Sequence, residues 1–388
     1  MSARPATLRV AALQLNSATG EVAGNLSRAV PFVEDAAASG AQLVLLPELY
    51  SSGFVFERRL WDAAERLEDG ATRTWLCALA ARLRLHLGTS VLEARGAHFY
   101  NTFMLAQPDG ALAGVVRKKT PAALEAFFFA PGEPRGADAH VIACPLLGGL
   151  RVAVGICYEN AMEYMARYAA QARADLLLMP HSACRVEGVP ASVVAAYDDV
   201  LAAMPRRYAL ALGIPVVLAN KSGPWTSTFL GAFALIAAVW GSHSRRAGAG
   251  LRAMVFEAGF PGQSQIVDAD GTVLAPPTCE ENAVLCATVH VPPAGTAAAA
   301  PLPRRSAWRK FSALAPHPLL LRVIFTVDEA IGAAVYRSSA ERRRRALAAS
   351  GGVDDDGGWL LPPRVIAVAG VAAPGHAARM HRPGRAYK

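Results

Sequence analysis

The first 290 residues alternate short runs of leucine and β-branched residues with segments of helical periodicity, and this alternation limits the possible folds more than any other feature. Strands that alternate with amphipathic helices form α/β proteins, in which helices cover the outer faces of the sheets. The order of strands and helices seen before residue 140 begins again after it. We therefore predict an α/β protein that carries helices outside its sheets.

The individual elements follow from periodicity and from the residues that start or stop them. Asn25 has a side chain typical of a helix N-cap, and Gly40 is typical of the position after a helix. The predicted helices cover residues 25–40, 72–84, 162–173 and 191–212. The predicted strands cover residues 8–15, 42–46, 86–92, 99–106, 112–116, 139–143, 151–156, 175–179, 215–219, 263–267, 272–275 and 284–289.

The charge of the 388-residue chain is divided unevenly between a body and a tail. Residues 296–388 hold 15 Lys and Arg against 6 Asp and Glu, which gives +9, whereas residues 1–295 hold 24 against 25, which gives −1. Because nucleic-acid sites need clustered Lys and Arg, the near-neutral body argues against a nucleic acid as the substrate. A Pro/Ala-rich run marks the boundary, so we predict one domain over 1–292 and a basic C-terminal extension over 293–388.

The extension contains one predicted amphipathic helix. Its apolar stripe consists of Leu320, Ile324, Val327 and Ile331, and four arginines follow at 342–345. Such a stripe indicates a helix that docks onto the body of the protein or onto a sister subunit. A basic amphipathic helix that lies on an anionic membrane surface is the alternative interpretation.

Secretion, membrane spanning and metal binding have no support in the sequence. The longest uncharged apolar run, at 229–240, is shorter than the roughly 20 residues of a membrane span. Arg9 interrupts the apolar stretch near the N-terminus, so we expect no signal peptide. Six cysteines without a CxxC pair indicate a cytoplasmic protein with free thiols. Nine histidines without HxH or HExxH spacing predict no metal site.

Three predicted strands are each followed by a side chain that can take part in chemistry. These side chains are Glu48, Lys118 and Cys157. Ligand sites in α/β sheets collect at the carboxyl ends of the strands, so the three side chains can share one edge. A thiolate is a strong nucleophile, a carboxylate can accept its proton, and an ammonium can stabilise a developing negative charge. The three groups together favour nucleophilic catalysis at a carbon–heteroatom bond.

Each of these residues also has a structural interpretation when it is considered alone. A single cysteine at the end of a strand is most often a small buried apolar residue. Glu48 can cap a helix, and the run that contains Lys118 is typical of a charged surface. Glu125 can be an ordinary exposed residue of a helix. The residue types alone leave both interpretations open.

The sequence around these residues resembles the catalytic segments of the nitrilase, or carbon–nitrogen hydrolase, superfamily. The three segments are LLPELYSSGF at 45–54, RKKTPAALEAFFFAPG at 117–132 and GICYENAMEYMARYAA at 155–170. Supporting matches are AALQLN at 11–16, GIPVVLANKSG at 213–223 and FPGQSQIVDADGTVLA at 260–275. The segments have the family's order and compatible separations, and the resemblance covers about residues 7–290.

The resemblance implies a four-layer αββα sandwich, followed here by the C-terminal extension. It implies that Glu48 is the general base, that Cys157 is the nucleophile, and that Lys118 stabilises the tetrahedral species. Glu125 matches a second glutamate that lies beside the lysine and the substrate. The family's chemistry requires no metal or organic cofactor. Its members usually pair through outer helices, so we expect a homodimer or a higher homo-oligomer.

The motifs disagree on the bond that is cleaved. The run CYEN at 157–160 differs from the CWE[NH] of nitrilases by one tyrosine, which favours nitriles, whereas FFFAPG at 127–132 is closer to amidases and carbamoylases. We predict a hydrolase that acts on the amide or N-carbamoyl group of a small molecule. Nitrile hydrolysis, acyl transfer to an acceptor other than water, and a non-catalytic scaffold are the alternatives.

Substrate contacts are predicted from position alone. Phe54, Tyr158, His181 and Ser182 follow or flank the predicted catalytic strands, so we expect them to line the pocket. A structural hydrogen-bonding role is an equal alternative for His181. The polar, glycine-rich run at 242–250 is an apparent insertion, and we expect it to form a loop that can act as a lid.

Overall fold

The computed structural model describes residues 6–132, 140–186, 191–229, 245–246, 254–293 and 310–352. The strands in chain order are β1 Thr7–Gln14, β2 Leu43–Leu45, β3 His86–Arg95, β4 His98–Ala106, β5 Leu112–Arg117, β6 Val141–Cys144, β7 Leu150–Val154, β8 Leu176–His181, β9 Arg185–Val186, β10 Val216–Asn220, β11 Ser222–Phe229, β12 Arg245–Arg246, β13 Met254–Pro261, β14 Gln265–Val267, β15 Val273–Ala275 and β16 Ala283–His290. The α-helices are α1 Val22–Ala38, α2 Ala71–Leu83, α3 Glu163–Gln171, α4 Ala191–Leu212, α5 Leu319–Ser338 and α6 Ala340–Ala349. Short 3₁₀ turns cover Arg58–Ala63, Ala123–Phe127, Pro145–Leu147 and Cys157–Ala161.

Two six-stranded sheets form the centre of the described structure. Their strand orders are β16-β1-β2-β3-β4-β5 and β15-β14-β10-β8-β7-β6. In the first sheet β1, β2 and β3 are parallel, and β4 and β5 each pair antiparallel with the preceding strand. Two antiparallel steps restore the original direction, so β5 runs the same way as β2. The carboxyl ends of β2 and β5 therefore lie at the same edge of the sheet.

Both faces of the first sheet are buried. Successive side chains of a strand point to opposite faces, so each strand contributes to two apolar clusters. On β1, Val10 and Ala12 join an apolar cluster with Val152 and Leu178 of the second sheet. Ala11 and Leu13, which alternate with them, belong to a different cluster that contains residues of α1 and α2. The sheet is thus packed against the second sheet on one side and against helices on the other.

The second sheet is covered in the same way by α3 and α4. Leu177 of β8 and Val216 of β10 share an apolar cluster with Met165 of α3 and with Leu201 and Tyr208 of α4. The order of layers is helices, sheet, sheet, helices. The structure therefore confirms the predicted four-layer α/β architecture.

Several local predictions differ from the structure. The sequence predicts Asn25 as the N-cap of α1, but the helix begins at Val22 and Asn25 is buried inside it. Its side chain instead accepts a hydrogen bond from Ala18 N at 2.8 Å and donates to Ser51 O at 2.8 Å, so it joins two loops. A local cap preference is here overridden by contacts between segments that are distant in sequence.

A third, smaller sheet is absent from the sequence prediction. It consists of β11, β13 and β12, with β9 paired to β13. Gly223 and Pro224 lie in β11, and both residue types are depleted in strands, so the pattern there predicts no strand. Of the predicted loop at 242–250, only Arg245–Arg246 are described, as β12; the rest lies outside the described residues.

The described part of the extension forms two helices that pack against the body. In α5, Gly332 lies so close to the turn Ala123–Phe127 that an added Cβ would approach Phe127 Cδ2 to 2.7 Å. Tyr336 Oη accepts a hydrogen bond from Phe99 N at 2.9 Å. Ile324 of the predicted stripe is buried, whereas the other stripe residues are exposed in this chain. None of the described helices has the length and apolarity needed to cross a bilayer.

Candidate active site

The centre of the site is a buried lysine between two buried carboxylates. Lys118 Nζ lies 2.7 Å from Glu48 Oε1 and 2.7 Å from Glu125 Oε2. All three side chains are at most 2% exposed. Glu48 follows β2 and Lys118 follows β5, so the common direction of these strands brings the two residues to one edge of the first sheet. Glu125 reaches the same point from the 3₁₀ turn Ala123–Phe127.

Cys157 comes to this point from the second sheet. It begins the 3₁₀ turn Cys157–Ala161, three residues after β7 ends, and its φ of +50° lies in the left-handed region. Leu49 and Ala123, with φ of +46° and +34°, occupy the same region next to Glu48 and near Glu125. Side chains other than glycine adopt this conformation rarely, and such residues cluster at functional sites. Cys157 and Glu125 line one cavity, and the charges of Glu48, Lys118 and Glu125 all act on the Cys157 thiol, so the structure brings together all four residues that the sequence predicts to be catalytic.

The charges in the site shift its pKa values in opposite directions. Burial alone would lower the pKa of Lys118, but the adjacent Glu125 and Glu48 carboxylates raise it above its usual value, so the side chain is an ammonium. Burial raises the pKa of Glu125 to about 7 although Lys118 opposes this shift. Burial and the Glu48 carboxylate raise the pKa of the Cys157 thiol. A thiol in this state needs a base that removes its proton as it reacts.

One oxygen of Glu48 is available for that purpose. Glu48 Oε1 accepts hydrogen bonds from Lys118 Nζ and from Asn101 Nδ2, both at 2.7 Å. The other oxygen, Oε2, is buried and has no hydrogen-bond partner among the described residues. An unpaired buried carboxylate oxygen is costly unless the site uses it. The geometry therefore leaves one lone-pair oxygen able to accept a proton.

Asn101 is a site residue that the sequence analysis misses. It lies in β4, its carbonyl accepts a hydrogen bond from Lys118 N at 2.8 Å, and its amide donates to Glu48. Asn101 thus holds the backbone of Lys118 and the carboxylate of Glu48 in a fixed relation to each other. The available signal is an asparagine within an apolar strand, where this residue type is depleted.

Glu159 joins the cysteine turn to the lysine segment. Its Oε1 accepts hydrogen bonds from Lys119 N at 2.7 Å and Tyr164 Oη at 2.7 Å, and its Oε2 accepts one from Ile156 N at 3.1 Å. His140 Nε2 lies 3.1 Å from Oε1. Burial would raise the pKa of Glu159, but His140 and Tyr164 lower it overall. This carboxylate holds the residues next to Lys118 and next to Cys157 in one frame.

Asn160 fixes the other side of the cysteine turn. Its Nδ2 donates to Gly155 O at 2.7 Å and to Cys157 O at 3.1 Å, and it lies 3.0 Å from His181 Nε2. Because an amide nitrogen can only donate, Nε2 is the acceptor and the proton of His181 is assigned to Nδ1. Burial, with the Lys118 ammonium nearby, lowers the pKa of His181 to about 3, so the ring is neutral. Its Nδ1 has no hydrogen-bond partner among the described residues.

A cavity of about 180 Å³ opens above these groups. Its walls include all four residues predicted to contact the substrate, namely Phe54, Tyr158, His181 and Ser182, together with Cys157 and Glu125. Lys118 and Glu48 lie behind this lining: Lys118 contacts the lining residue Glu125, and Glu48 contacts Lys118. His181 and Ser182 also brace the base: His181 O accepts from Glu48 N at 3.2 Å, and Ser182 Oγ donates to Glu48 O at 2.8 Å. His181 therefore both lines the cavity and makes structural hydrogen bonds, so the geometry combines the two alternatives given for it.

Part of the cavity wall comes from residues that sequence reasoning does not place at the site. These are Tyr197 of α4, His317, and Leu321 and Phe325 of α5. No local motif links them to Cys157, since they lie 40 to 168 positions further along the chain. In the described part of the chain, no group of three or more His, Cys, Asp or Glu side chains is arranged to hold a metal ion.

Comparison with known proteins agrees with the fold. The family model for carbon–nitrogen hydrolases matches residues 9–299. A nitrilase from Pyrococcus abyssi is 32% identical over 177 residues, which is 45% of this chain and 64% of that protein. An (R)-stereoselective amidase from a Pseudomonas species is 30% identical over 173 residues, or 44% of this chain and 59% of that protein. The match thus spans less than two thirds of the length of each relative.

Solved structures show the same architecture. A carbon–nitrogen hydrolase from Helicobacter pylori G27 superposes with a TM-score of 0.59 at 20% identity, covering 74% of this chain and 89% of that one. An amidase from a Nesterenkonia species gives a TM-score of 0.56 at 22% identity, covering 75% and 93%. At this identity the likeness establishes the fold.

Proposed function

Because the chain belongs to the carbon–nitrogen hydrolase family, we propose that it hydrolyses the amide or N-carbamoyl bond of a small molecule through a thioester on Cys157. The observation that carries the proposal is the buried Lys118 ammonium, held 2.7 Å from an oxygen of Glu48 and 2.7 Å from one of Glu125. This arrangement provides a base and a positive charge beside a thiol, which are the groups that acyl transfer to sulfur requires.

The first half of the reaction forms the thioester. Glu48 Oε2 accepts the proton of Cys157 as Sγ attacks the carbonyl carbon of the substrate. The negative charge moves to the carbonyl oxygen, where Lys118 Nζ and the backbone N–H of Tyr158 stabilise it, an effect of about 3–4 kcal/mol per donor. The carbon–nitrogen bond then breaks, and the nitrogen leaves as ammonia or an amine with the proton from Glu48.

The second half of the reaction returns the protein to its starting state. Glu48, again a carboxylate, takes a proton from a water molecule that attacks the thioester carbon. The carbon–sulfur bond breaks, the acid leaves, and Cys157 recovers the proton. Glu125 keeps Lys118 oriented and charged throughout, because an opposite charge at this distance favours the ammonium. His181 lines the cavity and its Nδ1 has no hydrogen-bond partner among the described residues, so Nδ1 is the proposed donor to the substrate's polar group.

Nitrile hydrolysis is the second candidate. The relatives include proteins named nitrilase, among them the one from Pyrococcus abyssi, as well as proteins named amidase. The same cysteine can attack a nitrile carbon to form a thioimidate, which two water molecules convert to the acid and ammonia.

The predicted homo-oligomer stays a prediction.

One panel distinguishes these possibilities. Purified protein is incubated with aliphatic and aromatic members of three series, namely primary amides, N-carbamoyl compounds and nitriles. The released ammonia is measured, and intact-protein mass spectrometry of the same samples detects any adduct on the protein. We expect ammonia release from one series and an acyl adduct on Cys157. Absence of both with every compound would contradict the proposal and favour a non-catalytic scaffold.

A further inference from the structure

A helix of the extension forms part of the wall of the cavity at Cys157. Leu321 and Phe325 are one turn apart on α5 and line the cavity. The Phe325 ring packs edge-on against the Tyr158 ring, with a centroid distance of 5.2 Å and an interplanar angle of 85°. This contact ties α5 to the cysteine turn. Part of the cavity wall next to the cysteine turn therefore belongs to the extension.

The rest of that wall is strongly apolar. Most of the other side chains around the cavity are aliphatic or aromatic, among them Phe54, Leu124, Val194, Leu201 and Met204. Hydrogen-bonding side chains also line the cavity, among them Glu125, His181, Ser182 and Tyr197. A cavity with a few polar groups and apolar walls orients a ligand by its polar end and holds the remainder by burial.

The described lining offers no free positive charge to an anionic substrate. Arg185 is its one Lys or Arg side chain, and Arg185 Nε is paired with Asp198 Oδ1 at 2.7 Å. Burial lowers the pKa of the lining residues His181 and His317, so both rings are neutral at pH 7. Since Glu125 also lines the cavity, a carboxylate on the substrate would meet no unpaired positive charge among the described lining residues.

The size of the cavity sets the scale of the group it can hold. Its volume is about 180 Å³. An apolar protein cavity of about 150 Å³ is large enough to bind benzene. A phenyl ring or a branched alkyl group of similar size therefore fits beside the reacting carbon.

On the basis of the proposed function, we propose that the substrate's acyl group is uncharged and apolar, of about the size of a phenyl ring, and that Leu321 and Phe325 determine this specificity. The extension thus contributes Leu321 and Phe325 to an apolar wall that the body otherwise forms, while the groups that react all belong to the body.

The first test compares three substrates of the series that the protein cleaves. For amides these are propionamide, 3-phenylpropionamide and the monoamide of glutaric acid, whose distal group is a carboxylate. We expect kcat/KM for the phenyl compound to exceed that for the carboxylate by about 100-fold or more, because the site leaves that charge unpaired. Equal values for these two substrates, or a preference for the carboxylate, would overturn the proposal.

The second test changes the wall. Phe325→Ala is expected to raise KM for the phenyl substrate about 10-fold, the effect of losing one buried aromatic contact, and to leave propionamide within about 3-fold. Val327→Ala, on the exposed side of the same helix, is the matched control and should change neither substrate. Equal effects of Phe325→Ala on both substrates would contradict a specificity role. If this variant unfolds, Leu321→Trp, which narrows the cavity, should selectively reduce kcat/KM for the phenyl compound.

The two proposals fail in different ways. If no compound in any series releases ammonia or forms an adduct on Cys157, the hydrolase function is wrong. The other outcome is that wild type, Phe325→Ala and Val327→Ala all hydrolyse propionamide, but kcat/KM for the phenyl substrate does not exceed that for the carboxylate substrate. In that case the hydrolase function stands and the assigned specificity is wrong.

Discussion

At the scale of single residues, the site is organised around the charge balance of Lys118. One ammonium is shared by two carboxylates, and the thiol beside them is held neutral by burial and by Glu48. Each group therefore sets the protonation state of its neighbours, and the arrangement acts as a unit. Removing one member of such a unit costs nearly as much activity as removing several.

Cys157→Ala is expected to reduce turnover by about 10⁴-fold or more, because the proposed reaction then has no nucleophile. The folded state should remain, since alanine tolerates the small loss of volume at the partly open position. Cys184→Ala provides a control, because Cys184 lines the same cavity without contacting the carboxylate pair in the described structure. Steady-state ammonia release and thermal unfolding measure both effects. Equal activity losses in the two variants would contradict the role of Cys157.

His181 links acid pH to stability. Its pKa falls from an ordinary 6.5 to about 3 on folding, so between these values the unfolded chain binds a proton that the folded chain does not. Stability is therefore full above pH 6.5 and decreases by about 1.4 kcal/mol per pH unit as the pH falls toward 3. His181→Gln should remove this contribution and flatten the curve. Urea unfolding at pH 7, 6, 5 and 4 tests this, and parallel curves for the two proteins would refute it.

At the scale of elements, the turn after β7 determines where the nucleophile lies. The turn has no room on its inner side: a Cβ on Gly155 would come within 2.0 Å of Asn160 Oδ1. Asn160 in turn holds Gly155 O, Cys157 O and His181. Because Gly155 has no side chain, the Asn160 amide can lie against it and hold the two backbone carbonyls and the His181 ring.

Gly155→Ala is expected to displace Asn160, to lower the free energy of unfolding by about 1–3 kcal/mol and to reduce kcat at least 10-fold, because overpacking moves the cysteine turn. Gly259→Ala is the control, since a Cβ there would meet its nearest atom at 3.6 Å. Chemical denaturation and single-turnover kinetics measure the two quantities. A Gly155→Ala protein as active and stable as Gly259→Ala would contradict this description of the turn.

The same elements show what can be predicted from sequence. Strand ends are marked by apolar runs, so the positions of Glu48, Lys118 and Cys157 at the carboxyl ends of β2, β5 and β7 can be read locally. Asn101 cannot, because its role depends on which strand pairs with β5. β11 escapes detection as well, since Gly223 and Pro224 weaken its strand pattern and only its pairing with β13 makes it a strand.

At the scale of the whole molecule, the extension is held to the body by polar contacts that flank the cavity helix. In α6, Arg342 Nη1 donates to Ala97 O, and its guanidinium lies 4.4 Å from the centre of the Tyr336 ring. Ser350 Oγ donates to Gly96 O at 3.0 Å. One of the four arginines read as a charged run is thus buried and structural.

Arg342→Ala is expected to lower the free energy of unfolding by about 1–3 kcal/mol, because it leaves the Ala97 carbonyl without this donor and removes the contact with Tyr336. Hydrogen exchange in α5 should become faster, and KM for an apolar substrate should rise. Arg344→Ala, at an exposed position of the same helix, should change none of these quantities. Indistinguishable behaviour of the two variants would show that α6 does not secure the cavity wall.

The excess of carboxylate over ammonium in the site also affects the release of the product. Hydrolysis turns a neutral substrate into an acid, which at neutral pH is an anion. When Glu48 and Glu125 are both ionised, Lys118 neutralises one of them, and the three side chains together carry one net negative charge. This charge repels the carboxylate of the acid product. Under the proposed function, we therefore expect the acid product to be a poor inhibitor above pH 7 even when its apolar part matches the cavity, and inhibition of ammonia release by the added acid measures this.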